Sequence, residues 1–450
     1  MDQTAIPVPA HAGPVSQTDR HTTLDALRGF ALLGILLMNI VGFGFHFSAY
    51  DNPTAAGGST GWNLGAWVAM HILAEGKMRA LFSLMFGAGI ILMTSRMEAR
   101  GDVNSADIYY RRNLWLLLFG ILHAYLLWLG DILYPYALCS LVLYPFRRMS
   151  PKRLLIIAGV VVALTAGGNI GMAFKTRSTI EQAQQALAAE RLGKALTDEQ
   201  KTAKEEWEKM RKEYQPARED LEKDAKAWRG GFFSSLKARA AVVGMFHSMP
   251  FYNPFSLDIW SMMIAGMAFL KLGILTGERS YRFYAWAAAI GYLIGIPVNS
   301  ITAWLRVDSG FDIVTRFFTG ASYDIGRLSI ALAHMSVIML LCKAGWFKPL
   351  TSMLAATGQM ALTNYVMHSV ICSTLFCGYG FGLYGRLERI DLYLIVAGIW
   401  VFQMIASPIW LRYFQFGPLE WGWRALTYWK RPSFRRVPAL QDAVTSEAMA

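Results

Sequence analysis

The chain has 450 residues, is 54% hydrophobic and only 16% charged, and carries a formal net charge of +12. Soluble domains carry about 25% charged residues, so that class is excluded. Lys and Arg sit mostly in short segments between apolar runs, the positive-inside pattern, so the basic balance does not point to nucleic acid. These features predict an all-α, polytopic transmembrane bundle of about ten helices with a charged helical extramembrane insert.

Residues 1–23 are polar and contain Pro and Ser, which predicts a disordered cytosolic tail. The apolar run that follows is too long for a signal-peptide core, so it reads as an uncleaved first helix. Asp25 and Arg28 lie three apart at its start and share one face of its first turn. Charge at a membrane helix is costly and marks candidate function, although Arg28 at a helix end could also snorkel to headgroups.

Ser48 to Gly65 lacks Lys and Arg and is placed outside. Residues 66–95 are longer than one crossing needs. Glu75-Gly76-Lys77-Met78-Arg79 interrupts them, so the segment is either broken there or lies partly on the outer surface. Arg96, Arg100, Arg111 and Arg112 follow in an inside loop. A third helix is expected at about 113–129, a fourth from Ile132 to Phe146 and a fifth at about 154–174. Together, 24–174 form a first membrane region of about five helices.

Residues 175–240 interleave acids and bases. Thr197 and Gln200 have capping-box spacing, and Glu205, Lys209 and Lys212 are spaced for pairs on a solvated helix. This is read as an extracytoplasmic helical insert. Residues 241–413 form a second membrane region, with helices at about 255–275, 283–304, 324–342, 351–377 and 391–411. Gly291 and Gly295 form a small-xxx-small pair suited to close packing. Residues 414–450 form a basic cytosolic tail, so both termini are placed inside.

The four cysteines, Cys139, Cys342, Cys372 and Cys377, show no zinc spacing and no disulfide framework, and no metal site is expected. Gly380 to Gly385 matches G-x-G-x-x-G, but no strand precedes it, and it reads as a turn between helices. Histidines are the informative polar residues. His71, His334 and His368 read as interhelical hydrogen-bond partners. His123 has Asp131 nearby in sequence. On one continuous helix the two would stand about 12 Å apart, so they meet only if the chain folds back at Gly130 or a third group bridges them. Asp131 would then orient the imidazole or raise its pKa, as a general base needs.

Several segments together resemble the YeiB-like family of bacterial inner-membrane proteins. They are Leu24-Asp25-Ala26-Leu27-Arg28-Gly29-Phe30, Lys77-Met78-Arg79-Ala80-Leu81-Phe82, and His123 with Gly130-Asp131-Ile132-Leu133. Gly358-Gln359-Met360-Ala361-Leu362-Thr363-Asn364-Tyr365 and Gly417-Pro418-Leu419-Glu420-Trp421 complete the set. The resemblance implies a multi-pass protein of the bacterial inner membrane. The first-helix motif is also similar to that of membrane acyltransferases of the heparan-glucosaminide N-acetyltransferase type, which move an acyl group from cytosolic acyl-CoA to an acceptor across the membrane. That type carries a histidine soon after its first helix, and neither His46 nor His71 sits in a match to its motif.

The resulting expectation is transmembrane acyl transfer. His123 and Asp131 would be catalytic. Asp25, Arg28, Arg96, Arg100, Arg111, Arg112 and Asn364 would hold the donor. Acyl-CoA would be a co-substrate rather than a bound cofactor, and the acceptor an outside glycan or lipid. Membrane lipids are the surrounding partner. The rival expectations are a small-solute transporter using the same buried charges and a non-catalytic membrane scaffold.

Overall fold

A computed structural model describes residues 22–248 and 254–436. The expectations for residues 1–21 and for 437–450 of the C-terminal tail lie outside the described residues. Thr22 and Thr23, expected in the tail, already belong to the first helix.

The described residues are helical, with no strand beyond one isolated bridge between Phe414 and Arg435. Six segments among them are long and apolar enough to cross a membrane. Helix α1 (Thr22–Gly44) is the central one, with 72% of its apolar window buried against 11% for the peripheral α6 (Pro151–Arg191).

The expected interruption at Gly76 is a break. Helix α2 (Gly61–Leu73) ends and α3 (Lys77–Ala99) begins around Gly76, whose φ of 72° is the left-handed conformation that favours glycine. Helix α4 (Ser105–Leu126) follows. The expected fourth crossing at 132–146 is not one helix. It is α5 (Leu133–Leu141), nine residues or roughly 13 Å long, followed by a 3-10 turn at Tyr144–Arg148. Pro145 lies in the first positions of that turn and supplies no N–H to continue α5.

Helix α6 does not stop at 174 but continues to Arg191, 41 residues in all, so the insert begins inside a continuous helix. The physical reason is that its Ala-, Glu- and Gln-rich continuation is a strong helix former. Helices α7 (Asp198–Tyr214), α8 (Arg218–Trp228) and α9 (Phe232–His247) complete the insert, and Thr197 and Gln200 form the expected capping box. Helix α9 passes the expected boundary at 240.

The second half contains α10 (Pro254–Lys271), α11 (Tyr281–Asp308), a short α12 (Ile313–Gly320) in the loop expected at 305–323, and α13 (Tyr323–Ala344). The expected ninth helix is broken at Met360 into α14 (Lys348–Gln359) and α15 (Ala361–Phe376). Helix α16 (Arg389–Tyr413) and α17 (Pro418–Tyr428) follow, the latter inside what was read as a tail.

Two motif glycines set the central crossing. A Cβ on Gly29 would lie 2.0 Å from the Leu354 carbonyl oxygen, and one on Gly358 would lie 2.0 Å from the Asp25 carbonyl oxygen. Helices α1 and α14 therefore touch backbone to backbone. Gly29→Val should cost about 1–3 kcal/mol or more by overpacking. A thermal-melting series by size exclusion should show the loss, and a melting point equal to wild type would contradict the contact. Gly291 and Gly295 do the same between α11 and α13, where added Cβ atoms would meet the Ser329 carbonyl oxygen and Ile330.

The bundle has two distinct ends. Asp25 and Arg28 of α1 share one cavity with Arg96, Arg100 and Arg112. The insert docks at the opposite end of α1 and α4. Arg239 donates to the Leu126 carbonyl at 2.7 Å, Arg229 to the Tyr384 carbonyl at 2.7 Å, and Asn52 to the Tyr214 carbonyl at 3.3 Å.

Candidate functional site

The site is built on the turn between α4 and α5. Helix α4 stops at Leu126, and α5 folds back so closely that a Cβ on Gly120 would lie 2.3 Å from the Tyr134 backbone nitrogen. This reversal brings Asp131 to His123. His123 Nδ1 and Asp131 Oδ1 are 2.7 Å apart, and both side chains are buried. A carboxylate only accepts, so Nδ1 carries the proton. Asp131 Oδ2 is held by the Tyr134 backbone N–H at 2.7 Å. The other ring nitrogen, Nε2, is left as an acceptor, and the Ser369 hydroxyl of α15 stands 2.8 Å from it. The three side chains form one buried chain of hydrogen bonds in the order serine, imidazole, carboxylate. Ser369 escaped sequence reasoning because it comes from 246 positions away, where no spacing rule reaches.

One turn before Ser369, Tyr365 packs its ring on His123 with centroids 5.0 Å apart, and its hydroxyl accepts from the Ile132 N–H at 3.1 Å. Tyr365 is also the inner wall of a cavity of about 280 Å³. Phe82, Phe86, Ile90, Leu116 and Tyr136 make its throat apolar. Its mouth carries Arg28, Arg96, Arg100, Arg112 and Arg424 against three carboxylates, Asp25, Asp102 and Glu420. Arg28 donates to Asp25 at 2.7 Å, and Arg112 lies over the Trp423 ring at 4.0 Å. Arg112 and His123 are 11 residues apart on α4. The imidazole therefore lies about 16 Å deeper along the axis than the mouth.

Of the expected donor-binding residues, Asp25, Arg28, Arg96, Arg100 and Arg112 line this cavity. Arg111 does not. It pairs with Asp107 at 3.1 Å and lies over Trp429 at 4.8 Å, because adjacent positions on a helix point about 100° apart. Asn364 is also elsewhere. Its amide donates to the Thr357 carbonyl at 3.1 Å and the Ser407 hydroxyl at 3.0 Å, tying the α14–α15 break to α16. Glu420 explains the closing motif. Its carboxylate accepts from the Leu362 and Thr363 N–H groups at 2.6 and 3.0 Å and from the Thr363 hydroxyl at 2.6 Å. It thus caps α15, the helix that carries Tyr365 and Ser369. Burial raises the Glu420 carboxyl above its ordinary range, against the pull of these donors.

A second polar cluster surrounds the α2–α3 break. Lys77 is buried and donates to the His71 carbonyl at 2.6 Å and to Asn299 at 2.9 Å. His71 contacts Glu75 at 2.6 Å and Thr302 at 2.9 Å. Arg79 and Arg327 both grip Asp258, and Arg327 also reaches Asp324 at 2.7 Å. His334 bonds Tyr292 at 2.8 Å, and His368 bonds Gln403 at 2.7 Å. His71, His334 and His368 are thus interhelical partners, as their isolated positions suggested. His46 accepts from the Ser48 N–H at 3.2 Å and caps a short turn. No cluster of metal-ligating side chains occurs among the described residues.

Comparison with known proteins gives a family and no activity. The model described as "Protein of unknown function (DUF418)" matches residues 269–430. The chain is 30% identical to the uncharacterized protein YeiB of Escherichia coli (strain K12), over 91% of this chain and 96% of the relative. It is also 30% identical to the uncharacterized protein YxaH of Bacillus subtilis (strain 168), over 92% of this chain and 96% of the relative. An uncharacterized 39.9 kDa protein of Bacillus acidopullulyticus is 27% identical over 92% of this chain and 96% of its own length. No solved structure matches the chain. Near-full-length identity to YeiB, with the DUF418 match over the second membrane region, means that the chain belongs to the YeiB-like family.

Proposed function

We propose that this protein transfers an acyl group across a bacterial inner membrane, from a cytosolic acyl-CoA to a glycan or lipid acceptor on the far side. One observation carries the reading. A cavity with an arginine mouth and an apolar throat ends at Tyr365, and Tyr365 packs on an imidazole already polarised by Asp131. Arginine forks suit phosphates, and an apolar throat suits the uncharged thioester arm. A volume of about 280 Å³ is at the small end for ligand sites, so the nucleotide part would stay at the mouth. His123 Nε2 then serves as general base for the attacking hydroxyl and general acid for the leaving thiolate.

The test is purified protein with labelled acetyl-CoA, scoring free CoA and label on an acceptor panel. No release of CoA with any acceptor overturns the reading. Donor binding should also raise the melting temperature in a concentration-dependent way. The double variant Arg96→Ala with Arg112→Ala should raise the donor concentration needed for that shift by about tenfold or more, since charged hydrogen bonds contribute about 1.5–3 kcal/mol each. Arg111→Ala should leave it unchanged. An equal loss in both would remove the cavity from donor binding.

The orientation is proposed from the short-loop charges, with the arginine mouth and both termini in the cytosol. Impermeant thiol labelling from outside should modify a cysteine at Lys204, which is in the insert, and spare one at Arg100. The reverse labelling would invert the topology.

A second reading, a solute transporter, is favoured by the α2–α3 break, where Lys77, His71 and Glu75 cluster at a discontinuous helix. Solute uptake into liposomes without donor consumption would replace acyl transfer with it.

A further inference from the structure

We propose that Ser369 is the nucleophile that carries the acyl group between donor and acceptor, a step that rests on the acyl-transfer reading and goes beyond base catalysis by His123. Three observations support it. The first is geometry. Ser369 Oγ lies 2.8 Å from His123 Nε2, and His123 Nδ1 lies 2.7 Å from Asp131 Oδ1. This is the order in which a base withdraws a hydroxyl proton while a carboxylate fixes the tautomer. A histidine needing only a structural partner has one in Asp131, and the serine occupies the nitrogen a base would use. The second is access. Tyr365 and Ser369 are four apart on α15 and share a face, and Tyr365 walls the cavity. The ring of Tyr365 stands between the throat and Oγ, and it must move aside for the donor to reach Ser369. The third is a spare donor. The turn that carries Asp131 also holds the Trp128 indole N–H, which is buried and has no hydrogen-bond partner among the described residues. A buried donor left unpaired is costly, and a developing oxyanion would use one.

In the first step Oγ attacks the thioester carbonyl carbon, and its proton passes to Nε2. The carbon–sulfur bond breaks, and the departing thiolate takes that proton to leave as CoA thiol. In the second step an acceptor hydroxyl gives its proton to Nε2 and attacks the acyl-serine carbonyl. The carbon–oxygen bond to Ser369 breaks, and Oγ recovers the proton. Splitting the transfer suits a donor and an acceptor that approach from opposite faces, because the two need never be bound together.

The experiment uses the full chain in detergent. A small fluorophosphonate probe, which needs no acyl donor, should give an adduct that peptide mapping places on Ser369. Ser369→Ala and His123→Gln should abolish it, and Tyr365→Ala should speed it by opening the wall. With labelled acetyl-CoA and no acceptor, wild type should hold a label stable to neutral hydroxylamine. Ser369→Cys, which keeps size and packing, should hold a hydroxylamine-labile one. Turnover of Ser369→Ala should fall by about 10³-fold or more. Acyl transfer that proceeds at the wild-type rate in Ser369→Ala overturns the inference and leaves the acyl-transfer reading standing. So does a fluorophosphonate adduct that maps elsewhere. An adduct on Ser369 with no consumption of acyl-CoA upholds the nucleophile and overturns the donor.

Discussion

His123→Gln should lower acyl transfer by about 10²–10⁴-fold while the protein still folds and inserts. Glutamine matches histidine in approximate volume and keeps a donor and an acceptor, so the contacts to Asp131 and Ser369 have replacements. It lacks basicity at the working pH, and positioned acid–base help contributes rate factors of that size. A structural histidine would behave differently. Interhelical hydrogen bonds inside membranes average about 0.6 kcal/mol, so its loss would cost little in either rate or stability. The measurement is CoA release at saturating donor, with melting temperature as the folding control. Full turnover by the Gln variant would remove His123 from the chemistry. Asp131→Asn is the companion variant. An amide presenting its NH₂ to Nδ1 would favour the tautomer with Nε2 protonated, which cannot accept the Ser369 proton, and the rate should again fall by orders of magnitude.

Asp258→Asn should produce the largest loss of stability. Asp258 is buried, holds Arg79 through Nε at 2.9 Å and Nη2 at 2.8 Å, and pairs with Arg327, which is 1% exposed. Two guanidinium groups from α3 and α13 thus converge on one carboxylate from α10. Removing its charge leaves a surplus of buried positive charge with Asp324 as the remaining partner on Arg327. Breaking a buried pair from one side costs about 3–5 kcal/mol, because the surviving ion stays desolvated without its counter-charge. Folded yield and melting temperature should both fall sharply, with or without donor present. A variant that folds normally but loses solute movement in liposomes would instead make this cluster a transport element.

The cavity and the cluster share α3. Arg96 and Arg100 stand at its mouth end, while Lys77 and Arg79 stand at the break. Tyr136 of the cavity wall contacts the Ser83 hydroxyl at 2.7 Å and donates to the Arg79 carbonyl at 3.2 Å. Motion of α3 at the break would therefore reach the throat through Tyr136, which gives the second cluster a way to influence the first.

The sequence by itself determined the class of the protein, because apolar runs near the thickness of a bilayer and sparse charge leave few alternatives. It also singled out residues that the fold places at the two ends of the candidate site. Asp25 and Arg28 announce themselves as charges on an apolar helix, and the proximity of His123 to Asp131 needed only a reversal at Gly130 to become a hydrogen bond. The helical insert was legible from interleaved charge, and its capping box from a three-residue spacing. Tertiary structure decided what hydropathy cannot encode. A hydropathy window averages over about nineteen residues. The break at Met360 and the nine-residue α5 are therefore invisible to it, the second ending at a turn that opens with a proline, whereas the break at Gly76 was already marked by the charges around it. Arg111 and Arg112 look equivalent in sequence, and only helical phase sends one into the cavity and the other to Asp107. Asn364 sits in a motif beside Tyr365, yet the two side chains leave α15 in different directions, one to bind Ser407 and the other to wall the cavity. Ser369 had no local signal at all. Its meaning comes from packing α15 on α4, a contact between segments 246 positions apart that only the folded chain brings within hydrogen-bond reach.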